Sequence, residues 1–129
     1  MLSRIAIVAD SCGSAATLAQ LLELEGYSVS IYSHIIDLLH SATGTQPDIV
    51  VFDQNTWTVR ERAMVLVLRE RLHPRSTRFV LITSMVELGW KPPELIDAVV
   101  VRPYFPNDLL LALSGQTVAS HSPFAARFA

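Results

Sequence analysis

Four polar residues in this 129-residue chain each stand at the end of a short apolar run. Asp53 closes Ile49-Val50-Val51-Phe52, and Asp10 follows the run from Arg4 to Ala9. Thr83 follows Phe79 to Ile82, and Arg102 follows Val99 to Val101. A lone aspartate in such a place is most often a turn or helix-cap residue. It can also be a metal ligand, a base or a nucleophile. Two acids, a hydroxyl and a cation at four corresponding places tell against the bland reading. Asp53 has no positive neighbour in sequence, so any partner must come from another element.

The elements that would position these groups alternate. Arg4 to Ala9, Ser28 to Tyr32, Asp48 to Phe52, Phe79 to Ile82 and Val99 to Val101 read as five strands. Between them lie helical patterns. Ser14 to Glu25 puts Leu18, Leu21 and Leu22 on one face, with Gly26 as the stop. Ser33 caps a second helix carrying Ile35, Ile36, Leu38 and Leu39, ending near Gly44. Thr58-Val59-Arg60-Glu61 fits a capping box for a third helix reaching Leu72, before Pro74. Gly89 and Pro92-Pro93 leave room only for a short fourth helix near Pro93 to Asp97. Pro106 opens the last helix, through Leu113. Nearly all-apolar strands alternating with helices imply an α/β parallel sheet covered on both faces. In such a sheet, ligands sit outside the carboxyl ends of the strands where strand order reverses, which is where the four groups stand.

Composition narrows the class. Half the residues are hydrophobic and 17% are charged, which is globular rather than disordered. One domain over residues 1–113 is expected, with a flexible tail over 114–129 in which Phe124 and Phe128 could dock. The longest apolar run is far too short for a membrane span, and the N-terminus lacks the pattern of a secretory signal. The single cysteine, Cys12, excludes an internal disulfide and makes a cytoplasmic location the default. A net charge of −2 gives no general attraction to nucleic acid or membranes.

On these residues the chain resembles the receiver domains of two-component response regulators, over roughly residues 4 to 113. Asp53 matches the phosphate-accepting aspartate, Asp10 the second acid of an acidic pair, and Thr83, thirty residues after Asp53, the family's hydroxyl. Arg102-Pro103 stands where the family has Lys-Pro, and the following run, like LLELEGYSV earlier, is typical of it. The resemblance implies a flavodoxin-like (βα)5 three-layer sandwich with sheet order 2-1-3-4-5 and a shortened fourth helix. It implies a phosphoryl group accepted on Asp53, and Mg2+ held by Asp10, Asp53 and the backbone carbonyl of Asn55. Thr83 and Arg102 would hold the phosphoryl oxygens. A sensor histidine kinase or phosphotransfer protein would be the donor. The chain would not be an enzyme beyond self-phosphorylation and slow self-dephosphorylation. A cis Arg102–Pro103 bond is expected, since the family's Lys-Pro bond commonly is cis.

Four departures mark an atypical receiver. Ala9 replaces the first acid of the pair, which lowers Mg2+ affinity. Arg102 replaces a lysine, and a planar guanidinium can hold Asp53 in an ion pair. Val99 stands where a switching aromatic is usual. Thr83 to Arg102 spans nineteen residues, short for the family, with prolines in the fourth helix. Signalling without phosphorylation, as an interaction module, is therefore the alternative. The face of the fourth helix, fifth strand and last helix carries Trp90, Pro92, Pro93, Leu95, Tyr104 and Phe105, an expected surface for a homodimer or downstream protein.

Competing readings are weaker. Asp53-Gln54-Asn55 resembles the D-x-D start of haloacid-dehalogenase-type phosphatases, but Asn55 cannot serve as their general acid. One glycine after the first strand is too few for a dinucleotide fingerprint. Cys12 reads as a small spacer rather than a reactive thiol. His34, His40, His73 and His121 lack metal-ligand spacing. Arg60, Arg62, Arg69, Arg71, Arg75 and Arg78 could form a nucleic-acid stripe, but the interspersed Glu61 and Glu70 favour a solvated or protein-binding face.

Overall fold

The computed structural model describes residues 3–41, 46–54, 59–72, 77–84 and 95–115. Five parallel strands form one sheet: β1 (Arg4–Ala9), β2 (Ser28–Tyr32), β3 (Ile49–Asp53), β4 (Arg78–Thr83) and β5 (Ala98–Val101). Their order is β2-β1-β3-β4-β5, as expected. Strand order therefore reverses between β1 and β3. β1 pairs with β2 on one side and β3 on the other, with Ala9 beside Asp53. β3 pairs with β4, with Asp53 beside Ile82.

Alternation along each strand divides the core in two. Ile5, Ile7, Ile49, Val51, Val80, Ile82 and Val100 face a layer made by α1 (Cys12–Leu24) and α4 (Pro106–Ser114). Ala6, Val8, Val50, Phe52, Phe79, Leu81 and Val99 face α2 (Ile35–Ser41) and α3 (Val59–Leu72). Side chains on successive residues point to opposite faces of a strand. A strand buried on both faces is therefore apolar along its length, as β3 is from Ile49 to Phe52. β2 lies at the sheet edge, and its residues are half-buried or exposed. On the α2–α3 side, the Phe52 and Phe79 rings meet edge to face, with centroids 5.9 Å apart.

Helix ends follow local chemistry. Gly26 has φ +96°, a left-handed conformation that glycine adopts without Cβ strain. The Tyr27 N–H then donates to the Leu22 carbonyl at 3.1 Å and the Gly26 N–H to that of Glu23 at 3.0 Å, closing a Schellman turn. Pro106 begins α4, and the carboxylate of Asp108 accepts from the Phe105 N–H at 3.2 Å. α4 runs one residue past the expected Leu113, to Ser114, and Gly115 caps it with φ +85°. The tail from 116 lies outside the described residues, as do Pro93 and Glu94 of the expected short fourth helix.

The end of that helix is corrected. Residues 95–97 form a turn that leads directly into β5. The Asp97 side chain accepts from the Phe79 N–H at 2.7 Å, and its own N–H donates to the Phe79 carbonyl at 2.8 Å. Asp97 thus extends the β4–β5 ladder, which a helical backbone would not permit. Three of the six arginines also have structural work. Arg69 donates to the Leu95 carbonyl at 2.7 Å and lies over the Phe79 ring at 5.1 Å. Arg71 donates to the Leu39 carbonyl and Arg78 to that of Ala112.

Candidate functional site

Each site residue owes its place to the sheet. β3 is central and buried along its length, so Asp53 is carried inward until only 4% of its surface is exposed. The next residue leaves the strand, and the Gln54 N–H donates across to the Ile82 carbonyl at 3.2 Å. Asp53 follows Val51 and Ile49 in alternation, so it lies on the α1–α4 side. Arg102 follows Val100 in the same way. An ionised carboxylate in such a place requires partners, because burying a charge alone costs several kcal/mol or more.

Two partners meet it. The guanidinium of Arg102, just past the end of β5, forms an ion pair with Oδ1 of Asp53. The hydroxyl of Ser14, in the first turn of α1, donates to Oδ2 at 2.7 Å. Arg102 is itself anchored, its N–H donating to the Thr83 carbonyl at 2.9 Å. Thr83 ends β4, one residue beyond the partner of Asp53, and is buried. Asp10 follows Ala9, the β1 partner of Asp53, and is exposed. The four strand ends named from sequence therefore lie at one edge, and Asp53 with Arg102 form a direct pair. The Arg102–Pro103 bond is cis, as expected.

Ser14 is the residue that sequence reasoning missed. From sequence, Ser14 stands only as the start of the first helix. In a β-strand–helix unit, however, the helix's first turn lies over the carboxyl edge of the sheet. A hydroxyl three residues inside a helix that opens after β1 was the available signal.

The donor set bears on a metal. Among the described residues no group of three or more His, Cys, Asp or Glu side chains converges. Asp10 and Asp53 carry hard carboxylate oxygens on adjoining strand ends. An ionised carboxylate has about four lone-pair sites, and Arg102 and Ser14 engage one oxygen each. Lone pairs on Asp53 remain, and carboxylate oxygen is the donor type that suits a hard divalent cation, with Ala9 contributing no oxygen. Asn55 lies outside the described residues.

The neighbouring surface differs from expectation in part. Phe105 is 61% exposed. Tyr104 and Leu95 are half-buried and pack on opposite halves of the core. Burial pushes the Tyr104 phenol above its ordinary range, and the Arg102 charge acts against that shift. Val99 is buried in the core on the α2–α3 side. Trp90, Pro92 and Pro93 lie outside the described residues. A cavity of about 350 Å³, lined by His34, Asp37, Gln54 and Arg60 among others, opens between α2 and α3 rather than over Asp53.

No protein-family model matches the chain, and no curated protein does. Solved structures do. A CheY-like response regulator receiver domain from Methylobacillus flagellatus is 25% identical, covers 88% of this chain and 98% of its own, and has a TM-score of 0.74. Chemotaxis response regulator CheY4 of Vibrio cholerae is 20% identical over 88% of this chain and 98% of its own, also at 0.74. A Thermotoga maritima response regulator protein, solved in complex with Mg2+-BeF, is 18% identical over 88% and 97%, at 0.71. The chain has the CheY-like receiver fold across nearly all of these domains' length.

Proposed function

We propose that this chain is a receiver module of two-component signalling that accepts a phosphoryl group on Asp53. One observation carries the reading: a buried aspartate at the carboxyl end of the central strand, held by a cation on one oxygen and a hydroxyl on the other. The likeness of fold to response-regulator receivers supports it. A carboxylate oxygen of Asp53 attacks phosphorus, and the bond from phosphorus to the donor's leaving group breaks. Arg102 balances the negative charge gathered on Asp53 and the incoming group. Thr83 offers a hydroxyl at the end of the adjoining strand. A preset cation costs no reorganisation at the moment of transfer. Asp10 and Asp53 would hold Mg2+ weakly, and that ion would supply charge neutralisation for the phosphoryl oxygens.

On this reading the donor is a sensor histidine kinase or a phosphotransfer protein, and the location is cytoplasmic. The chain catalyses nothing beyond its own phosphorylation and slow dephosphorylation. Among the described residues no helix is long and apolar enough to cross a membrane. Switching is altered, because Val99 has no ring to move between inner and outer positions. The exposed Phe105 beside β5 marks the face offered to a second copy or a downstream protein. A second reading rests on the Arg102–Asp53 pair, which already neutralises the acid: a module that binds its partner without phosphorylation. Incubation with a small phosphodonor and Mg2+, followed by intact mass, separates the two. One added phosphoryl group, absent in Asp53→Asn, supports the first; unchanged mass supports the second.

A further inference from the structure

We infer that the Ser14 hydroxyl sets the lifetime of the phosphoryl group on Asp53 by stabilising the oxygen that leaves when the group is hydrolysed; this rests on the reading of Asp53 as the acceptor. The two carboxylate oxygens are not equivalent. Oδ1 is held by the guanidinium of Arg102. Among the described residues Oδ2 is held by one neutral donor, Ser14, at 2.7 Å, and Ser14 is exposed. Oδ2 is therefore the oxygen that the guanidinium does not engage, and it forms the bond to phosphorus.

In the resulting acyl phosphate, Oδ2 bridges carbon and phosphorus and is a poor hydrogen-bond acceptor. During hydrolysis a water oxygen bonds to phosphorus and the P–Oδ2 bond breaks. Its electron pair returns to Oδ2 as carboxylate charge, and both protons of the water leave with inorganic phosphate. The Ser14 hydroxyl is already aimed at the oxygen on which that charge grows. Its bond is stronger in the transition state than in the ester, which is the condition for acceleration. Ser14 is an unforced choice for packing, since alanine in that first turn would suit the helix at least as well.

The test loads wild type, Ser14→Ala and Ser14→Thr with acetyl phosphate and Mg2+, removes the donor, and follows the mass of the intact proteins. The phosphoryl group on Ser14→Ala is expected to last about tenfold longer than on wild type, the worth of one hydrogen bond to a developing charge. Ser14→Thr, which keeps the hydroxyl, is expected to restore the wild-type lifetime. An unchanged or shortened lifetime in Ser14→Ala overturns the inference while leaving Asp53 as acceptor. So does a Ser14→Thr variant that behaves like alanine. A wild-type chain that never gains the group overturns the acceptor reading, and this inference with it.

Discussion

The β5 flank and the α1 flank of Asp53 treat the same carboxylate differently. On the β5 side a guanidinium, roughly a quarter exposed, meets Oδ1. On the α1 side a neutral hydroxyl meets Oδ2. The first contact cancels a charge that the sheet has carried into the interior. The second only orients it. A buried ion pair broken by removing one partner leaves an uncompensated charge, whereas losing one neutral donor removes a single hydrogen bond from a carboxylate that keeps its counter-charge. The difference separates what holds the acid in the fold from what tunes its chemistry.

The largest effect should come from breaking the charged flank. Arg102→Ala is expected to lower unfolding stability by about 3 kcal/mol at neutral pH, near the lower end for a broken buried pair because the guanidinium is partly solvated. Ser14→Ala should cost only about 1 kcal/mol. Urea unfolding of both variants checks the order. Equal losses would remove the asymmetry between the flanks.

The next effect concerns the ion. Ala9→Asp places a second carboxylate beside Asp53 and should tighten Mg2+ binding about tenfold or more, since each added unit charge near a dication contributes a few kcal/mol before desolvation. Tryptophan fluorescence can follow the titration, as Trp57 is four residues past Asp53. Because Ala9 is buried, the same variant should unfold more readily without the ion. An unaltered affinity would mean that the ion does not approach Asp53 from the β1 side.

The smallest effect is on Tyr104. Its phenol is held above the ordinary range by burial, with Arg102 opposing. A proton bound more tightly in the folded state adds stability below the unfolded pKa, and that increment is lost as pH rises through the folded pKa. The window therefore lies above the ordinary phenol range. Arg102→Ala should move Tyr104 ionisation still higher, by ultraviolet absorbance at alkaline pH. Movement the other way would place the Arg102 charge elsewhere.

Much of this was legible before the fold was known, for reasons that differ by element. β3 and β4 announce themselves because a strand buried on both faces tolerates no polar residue until its end. The end residue is then conspicuous, and Asp53, Thr83 and Arg102 were found that way. The turn at 95–97 was misread because Asp97 looks like a helix residue in sequence. Its real task, a side-chain bond to the Phe79 N–H, links positions eighteen apart. Ser14 stayed hidden for a similar reason. A serine in a helix's first turn is ordinary, and only the docking of α1 against the sheet gives it a carboxylate thirty-nine residues away.

The central claim is that Asp53 is a phosphoryl acceptor despite its ready-made cation. The most direct measurement is intact mass of wild type and Asp53→Asn after exposure to acetyl phosphate with Mg2+. The account predicts one phosphoryl group on wild type and none on Asp53→Asn. Unchanged mass in a folded wild-type chain, or equal labelling of both proteins, would contradict it.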